Sequence, residues 1–456
     1  MKARLLLGFA LILIFSSCRE QNMVTLSGDI QNHGQAKLQL SNFFGTSAWR
    51  SEIDVNNGIF EVNLPIEKPV IQSVSYGMSS KTLFLEPGQT LNISFDAENV
   101  DGSIRFGGTL APENSIIDSL SRSINIDYSY IYTQPLELAA AYLDSTSDAA
   151  NRHLEELLKD VQSSPEFDDY ARAFIDYQAA GLKIIIGERQ DEQPEGYYGF
   201  LDQLKIESES WIDIPEYRMF LYQLVEMNVN KRMKALEATH QESADAHLTE
   251  RLNVIEEFEN EEVRAYALFN AMHTYLLENG VDEFEKHYEP FRERNSDPYY
   301  DEQMRLAYEE KQKLAPGQPA PQFTLADVDG SQVSLSDFRG QYVFLDFWAT
   351  LCPRSARELP YYLDLHSTYE NENIAFVSIS NDPDSKKWSD YVKEKKDVGV
   401  SLIAQNGWDS DVLRDYQVFG LPTFVLIDTD GNIIDPVAAK PSTQEIRESL
   451  DQLLMN

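Results

Sequence analysis

Cysteine is almost absent. The chain of 456 residues has two, Cys18 and Cys352. No disulfide framework can be built from them, so the fold has to be held by apolar burial. Basic residues are also scarce: 38 Lys and Arg stand against 75 Asp and Glu, giving a net charge of −37. That balance excludes a phosphate-neutralising surface and with it nucleic acid as a partner. The acidic residues are spread along the chain, as on a solvated surface, and form no acidic tail. Long apolar runs are missing too. Only Leu5–Phe15 is continuous, and its eleven residues fall short of the ~20 needed to span a bilayer. The seven histidines are scattered, and His240 and His247 sit two helical turns apart with no carboxylate-flanked pair or HExxH spacing. No metal site and no cofactor is assigned.

What is present is one organising stretch, Tyr342 to Pro360. The run Tyr342–Trp348 reads as a buried strand. A short turn, Ala349-Thr350-Leu351, leads to Cys352 and Pro353, then to a polar segment that continues as a helix. Proline suits the first helical position because its missing N–H is not needed there. Cys352 therefore lies at a helix N-terminus, where unpaired N–H groups and the helix dipole favour an anionic sulfur.

The residues Phe347-Trp348-Ala349-Thr350, Cys352, Glu358 and Pro360 resemble the active-site motif of the TlpA-like envelope thiol:disulfide interchange proteins, a thioredoxin-like group. Leu351 replaces that motif's second tryptophan, and Ser355 replaces its second cysteine. The resemblance covers residues 315 to 454 and implies a C-terminal α/β thioredoxin-like domain. Strands are expected at Ile374–Ile379, Ser401–Ala404 and Phe424–Ile427, and helices at Ser385–Lys395, Val412–Val418 and Gln444–Leu454. The peroxiredoxin pattern fails, because Leu345 and Ala349 occupy its required proline and hydroxyl positions.

The N-terminus reads as a targeting segment. Lys2 and Arg4 precede the apolar run, and Ser16-Ser17-Cys18 resembles the lipobox of bacterial lipoproteins. Residues 1–17 are expected as signal peptide, Cys18 as the lipid attachment site and residues 18–23 as tether. The implied location is the cell envelope, anchored to a bacterial membrane and facing the periplasm or cell surface. The alternative is an ordinary signal peptide with an incidental cysteine.

Residues 24–110 carry short alternating runs, Lys37–Leu40, Gly58–Leu64, Lys81–Leu85 and Thr90–Phe95, separated by turn residues. They predict a β-sandwich. Residues 111–314 turn helical, with Phe167, Tyr170, Ala171, Phe174 and Tyr177 on one face and Tyr217, Phe220, Leu221 and Leu224 on another. Their tyrosines are expected to pack helices. Leu314–Pro321, rich in Pro and Gly, reads as a linker, and residues 315–456 form the last domain.

Within the resemblance, Cys352 is the nucleophile. Pro422, in Gly420-Leu421-Pro422-Thr423, is expected to be cis and to face it, leaving the Leu421 backbone to pair with an extended substrate; Trp348 completes the substrate-binding set. Asp346, inside an apolar strand, is either a proton relay with a raised pKa or a satisfied buried polar group. Glu358 is either an acid near the sulfur or part of a solvated helix face. Ser355 cannot resolve a mixed disulfide but can donate a hydrogen bond to the thiolate. Two functions follow. One is monothiol interchange, with release supplied by a thiol of the substrate, a small thiol or a partner protein. The other is a thioredoxin-like binding or assembly module that has lost its chemistry.

Overall fold

The computed structural model describes residues 23–455, apart from residues 35, 42–49, 78, 191, 237–243, 383, 396–398 and 405–406. The proposed signal segment, Cys18 and the tether up to residue 22 lie outside the described residues. The chain divides into two compact units, one up to Arg305 and one from Leu306 onward.

The first unit opens with eight strands: β1 (Met23–Gln31), β2 (Leu38–Ser41), β3 (Arg50–Ile53), β4 (Ile59–Pro65), β5 (Val70–Tyr76), β6 (Ser79–Leu85), β7 (Thr90–Asp96) and β8 (Arg105–Gly107). They form two four-stranded sheets, ordered β4-β1-β7-β8 and β3-β2-β5-β6. Alternation along β1 buries Val24, Leu26 and Ile30, the period of two expected of a half-buried strand. The two sheets meet through their inner faces, where Tyr76 of β5 and Phe95 of β7 pack edge to face at 5.6 Å. Pairing of β1 with β7 is parallel, so this sandwich is mixed.

Helices follow: α1 (Ala111–Ser123), α2 (Leu136–Leu158), α3 (Pro165–Glu188), α4 (Pro215–Leu236), α5 (Ala244–Ile255), α6 (Glu261–Arg294) and α7 (Pro298–Gln312), within which the unit boundary falls. α3 begins where Ser164 accepts a hydrogen bond from the Phe167 N–H and Pro165 fills the first turn. Its predicted stripe is buried, with Phe167 and Tyr177 nearly inaccessible. α6 is interrupted at Gly280, whose φ of 78° is outside the helical region. The helices are tied to the sheets: Asn114, fully buried, exchanges hydrogen bonds with the Phe84 N–H and C=O at 3.0 Å each. Phe84 in turn packs against Phe167 of α3 at 5.2 Å.

The second unit is a seven-stranded sheet. Its strands are β9 (Thr324–Asp327), β10 (Gln332–Ser334), β11 (Tyr342–Trp348), β12 (Ile374–Ser380), β13 (Val400–Ile403), β14 (Thr423–Ile427) and β15 (Ile433–Asp435), ordered β10-β9-β13-β12-β11-β14-β15. β11 runs parallel to β12 and antiparallel to β14. Helices α8 (Pro353–Thr368), α9 (Ser385–Lys395), α10 (Asp411–Asp415) and α11 (Gln444–Leu454) surround it. On one face Val343, Leu345 and Phe347 join Leu413 and Tyr416; on the other Phe344 joins Tyr362, Leu365, Ile446 and Leu450. Each large side chain so buried contributes about 1.5–3 kcal/mol.

The segment read as a linker behaves differently. Gly317 donates to the Ile433 C=O, Ala320 donates to the Gly431 C=O, and Ile433 donates to the Gln318 C=O. Leu314 and Ala320 are buried in the core of the second unit. Its Pro and Gly residues serve an edge pairing beside β15, a role that composition does not separate from a linker.

Candidate functional site

The site forms where β11 ends. Its last six residues are all buried between β12 and β14, so the strand delivers the chain to one fixed point at the carboxyl end of an interior strand. The turn after it closes with the Cys352 N–H donating to the Ala349 C=O at 3.1 Å. Cys352 is the N-cap residue of α8, with extended backbone (φ −84°, ψ 113°), and Pro353 opens the helix.

The sulfur is half-buried and is the free thiol of the described residues. Burial pushes its pKa up, but the Ser355 hydroxyl, the backbone N–H groups of Ser355 and Arg354 and the Arg354 charge outweigh that, and the thiol is held below its ordinary value. Ser355 is buried, and its hydroxyl finds no oxygen or nitrogen partner among the described residues. It makes no hydrogen bond of ordinary distance and angle, yet it lies close enough to the sulfur to favour the anion.

Opposite the sulfur stands the Gly420–Thr423 loop. The Leu421–Pro422 peptide is cis. Cys352 Sγ donates to the Leu421 C=O at 3.6 Å, while the Leu421 side chain packs into the core. Around this contact the surface is apolar and open: Leu351 is 81% exposed and Phe419 50%.

Beneath the site, alternation along β11 turns Asp346 to the same face as Phe344, toward α8. Its carboxyl is buried, Oδ1 has no partner among the described residues, and burial followed by the nearby Glu358 charge raises its pKa to about 8. Tyr362 of α8 lies in the same buried environment; burial and then the Asp346 charge push its hydroxyl well above the usual phenol value. Glu358 accepts hydrogen bonds from the Ser442 N–H and hydroxyl, both at 3.0 Å, and so joins α8 to the loop before α11. Trp348 packs in a buried cluster with Trp388, Val392 and Ile403, and against Tyr391 at 5.7 Å.

One contributor escaped the sequence reading. Asp382, buried just beyond β12, accepts from the Thr350 N–H at 2.9 Å, the Thr350 hydroxyl at 2.7 Å and the Ser380 hydroxyl at 2.6 Å. It pins the turn that carries Cys352. The available signal was its position: an acid at the carboxyl end of the strand beside β11, where open α/β sheets gather functional groups.

Chemically, the arrangement offers one thiol whose pKa is lowered, a buried hydroxyl at Ser355 close to it, and an exposed apolar surface at Leu351 and Phe419. Comparison with known proteins gives the same class. A family model described as the AhpC/TSA family matches residues 316–435. The thiol-disulfide oxidoreductase ResA of Geobacillus thermodenitrificans is 30% identical over 146 residues, covering 32% of this chain and 82% of that protein. ResA of Bacillus cereus is 28% identical, covering 32% of this chain and 83% of its own. Among solved structures, the thioredoxin domain of a thiol-disulfide oxidoreductase from Bacteroides vulgatus is 28% identical and covers 31% of this chain and 99% of that one, with a TM-score of 0.29. Through its second unit, the chain belongs to the thioredoxin-like AhpC/TSA family and is a homologue of the ResA thiol-disulfide oxidoreductases.

Proposed function

We propose that the chain is a lipid-anchored envelope protein that exchanges disulfides through the single thiol of Cys352. The observation that carries this reading is the placement of that sulfur: at the N-terminus of α8, its pKa lowered by Ser355 and Arg354 against the push of burial. Cys352 thiolate attacks one sulfur of a substrate disulfide. The substrate S–S bond breaks, a new bond joins Cys352 to that sulfur, and the other sulfur leaves as a thiolate. With Ser355 in the resolving position, a second thiolate from the substrate, a small thiol or a partner protein must attack the mixed disulfide and release Cys352. Attack by the substrate's own thiolate sums to isomerisation with no net oxidation; an external thiol instead ends in a mixed disulfide with the substrate, and a second such thiol completes the substrate's reduction as the two external thiols join in a disulfide. Thiol- or disulfide-bearing envelope proteins are the substrates of this reading, and an external thiol is its reductant.

The exposed apolar surface at Leu351 and the Leu421-Pro422 edge supports capture of an extended substrate chain. Cys18 is the proposed lipid anchor, and Cys18→Ala is expected to move the protein from the membrane fraction to the soluble one.

Mass spectrometry of the chain quenched with an alkylating agent after incubation with a disulfide-bearing protein tests the chemistry. A mixed disulfide on Cys352 is expected, accumulating because nothing in the chain resolves it. Ser355→Cys is expected to discharge the adduct and raise insulin reduction under dithiothreitol by at least ~10-fold. Absence of any adduct on Cys352 would favour a redox-inactive binding module, in which the thioredoxin-like unit serves assembly alone.

A further inference from the structure

The first unit holds a cleft of about 440 Å³, within the size range of small-ligand sites. It opens between the start of β5, the start of α3, the Glu209–Ile214 segment and the first turn of α6. Its charge is one-sided. Glu166, Asp169, Glu209, Asp213 and Glu262 line it against a single cation, Lys68. Lys68 is taken by Asp213 at 3.7 Å, and Asp213 also holds Arg218 at 3.2 Å. Among the described residues, Glu166, Asp169 and Glu262 have no cation within ion-pair distance. Glu262 registers the crowding: burial pushes its carboxyl up, Lys68 pulls it down, and Glu209, Asp297 and Asp213 push it up again, for a net rise.

The acids at Glu166 and Glu262 stand in first helical turns, where the helix dipole accounts for them in part. It does not account for Asp169, Glu209 or Asp213. The cleft also has an aromatic side, with the buried Phe84 and Tyr170 stacked at 6.2 Å and Trp211 nearby, the Trp211 ring already carrying the Lys205 ammonium at 5.2 Å. Tyr170 is 5% exposed, and its hydroxyl has no partner among the described residues. An apolar wall and an unpaired hydroxyl beside separated carboxylates are groups that receive an ammonium on an apolar stem, and the Lys205–Trp211 contact shows an ammonium held on this wall's ring by the chain itself. A metal ion fits less well: among the described residues no three acidic, His or Cys side chains converge on a point that would hold one.

We propose that this cleft binds an extended organic cation carrying alkylammonium groups, either a free polyamine or lysine side chains of an extended peptide.

Isothermal titration of the full chain in 0.15 M salt tests this, with spermidine and with capped trilysine as the two probes. One-to-one saturable binding of at least one probe is expected, and the tighter probe identifies the source of the cation. The double variant Asp169→Asn/Glu262→Gln is expected to weaken binding at least 10-fold, and Tyr170→Phe about 3-fold. A control double, Glu445→Gln/Glu448→Gln in α11, removes the same charge from the second unit and is expected to leave binding unchanged. Glu166→Gln serves as a further single variant if the first double misfolds by circular dichroism. Equal weakening in both doubles would assign the binding to overall acidity and overturn the proposal, as would the absence of saturable binding for both probes. The readout is independent of Cys352, so its failure leaves the thiol reading untouched.

Discussion

In the proposed exchange chemistry Ser355 is the decisive residue, because it stands where the resembled motif has its second cysteine. Its hydroxyl is buried without an oxygen or nitrogen partner, a placement that ordinarily destabilises. The compensating gain is electrostatic, since the same hydroxyl favours the Cys352 anion. These two effects separate in one variant. Ser355→Ala is expected to raise the pH midpoint of Cys352 alkylation and slow the reaction at pH 7. It is also expected to leave thermal stability unchanged or slightly higher, because an unsatisfied buried polar atom has been removed. The alkylation profile and the melting temperature of one sample check both. A lowered melting temperature with an unmoved midpoint would make Ser355 a packing residue. Glu358 and Trp348 have structural contacts that the motif does not announce: Glu358 accepts from Ser442 while its charge also acts on Asp346, and Trp348 packs in a buried cluster with Trp388.

At the scale of elements, the site depends on a turn held from outside itself. Ala349–Leu351 has little internal bonding beyond the Cys352–Ala349 closure, and the Asp382 carboxylate supplies the rest through Thr350. Hydrogen bonds to a charged acceptor contribute about 1.5–3 kcal/mol each. Asp382→Asn keeps the shape but removes the charge, so hydrogen exchange at the Thr350 amide is expected to accelerate by ~10-fold or more, with core amides of β12 unaffected. Equal exchange rates in both proteins would mean that the turn holds itself. This clamp was not legible in the sequence, because it joins residues 32 apart along the chain, and Thr350 belongs to a motif while Asp382 belongs to none. The elements it joins were legible. Apolar periodicity marked β11, β12 and α3, and Gln444–Leu454 was marked at the bounds it has in the structure. Strands β1, β3, β5 and β8 were less visible as separate elements, since their partners, more than their own composition, define them. The Pro- and Gly-rich stretch before β9 misled for a related reason: its use is decided by β15, more than a hundred residues later.

For the whole molecule, the excess of acid sets how stability responds to pH, and each unit contains one carboxyl that dominates the response. In the first unit Glu216, with its Oε2 cut off from water, is raised from 4.5 to about 7 by burial. In the second, Asp346 is raised from 3.8 to about 8. Each folded carboxyl keeps its proton through a window in which the unfolded chain has already lost it. The folded state then binds more protons, so stability falls as pH rises: from about 4.5 to 7 for Glu216 and from about 4 to 8 for Asp346. Above those values both states are ionised and the slope ends. General repulsion within a chain of net charge −37 acts in the same direction, but salt separates the two effects, since it screens exposed charges and barely reaches buried ones. Calorimetric melting of the full chain at 0.5 M salt is therefore expected to give a melting temperature that declines from pH 5 to pH 8. Asp346→Asn removes the larger share of the decline and stabilises the protein at pH 8 by a few kcal/mol, at about 1.4 kcal/mol per pKa unit. Glu216→Gln removes the smaller share. The double variant is expected to melt at nearly the same temperature across the range. A double variant that kept the wild-type slope in high salt would place the pH response on the surface charge instead.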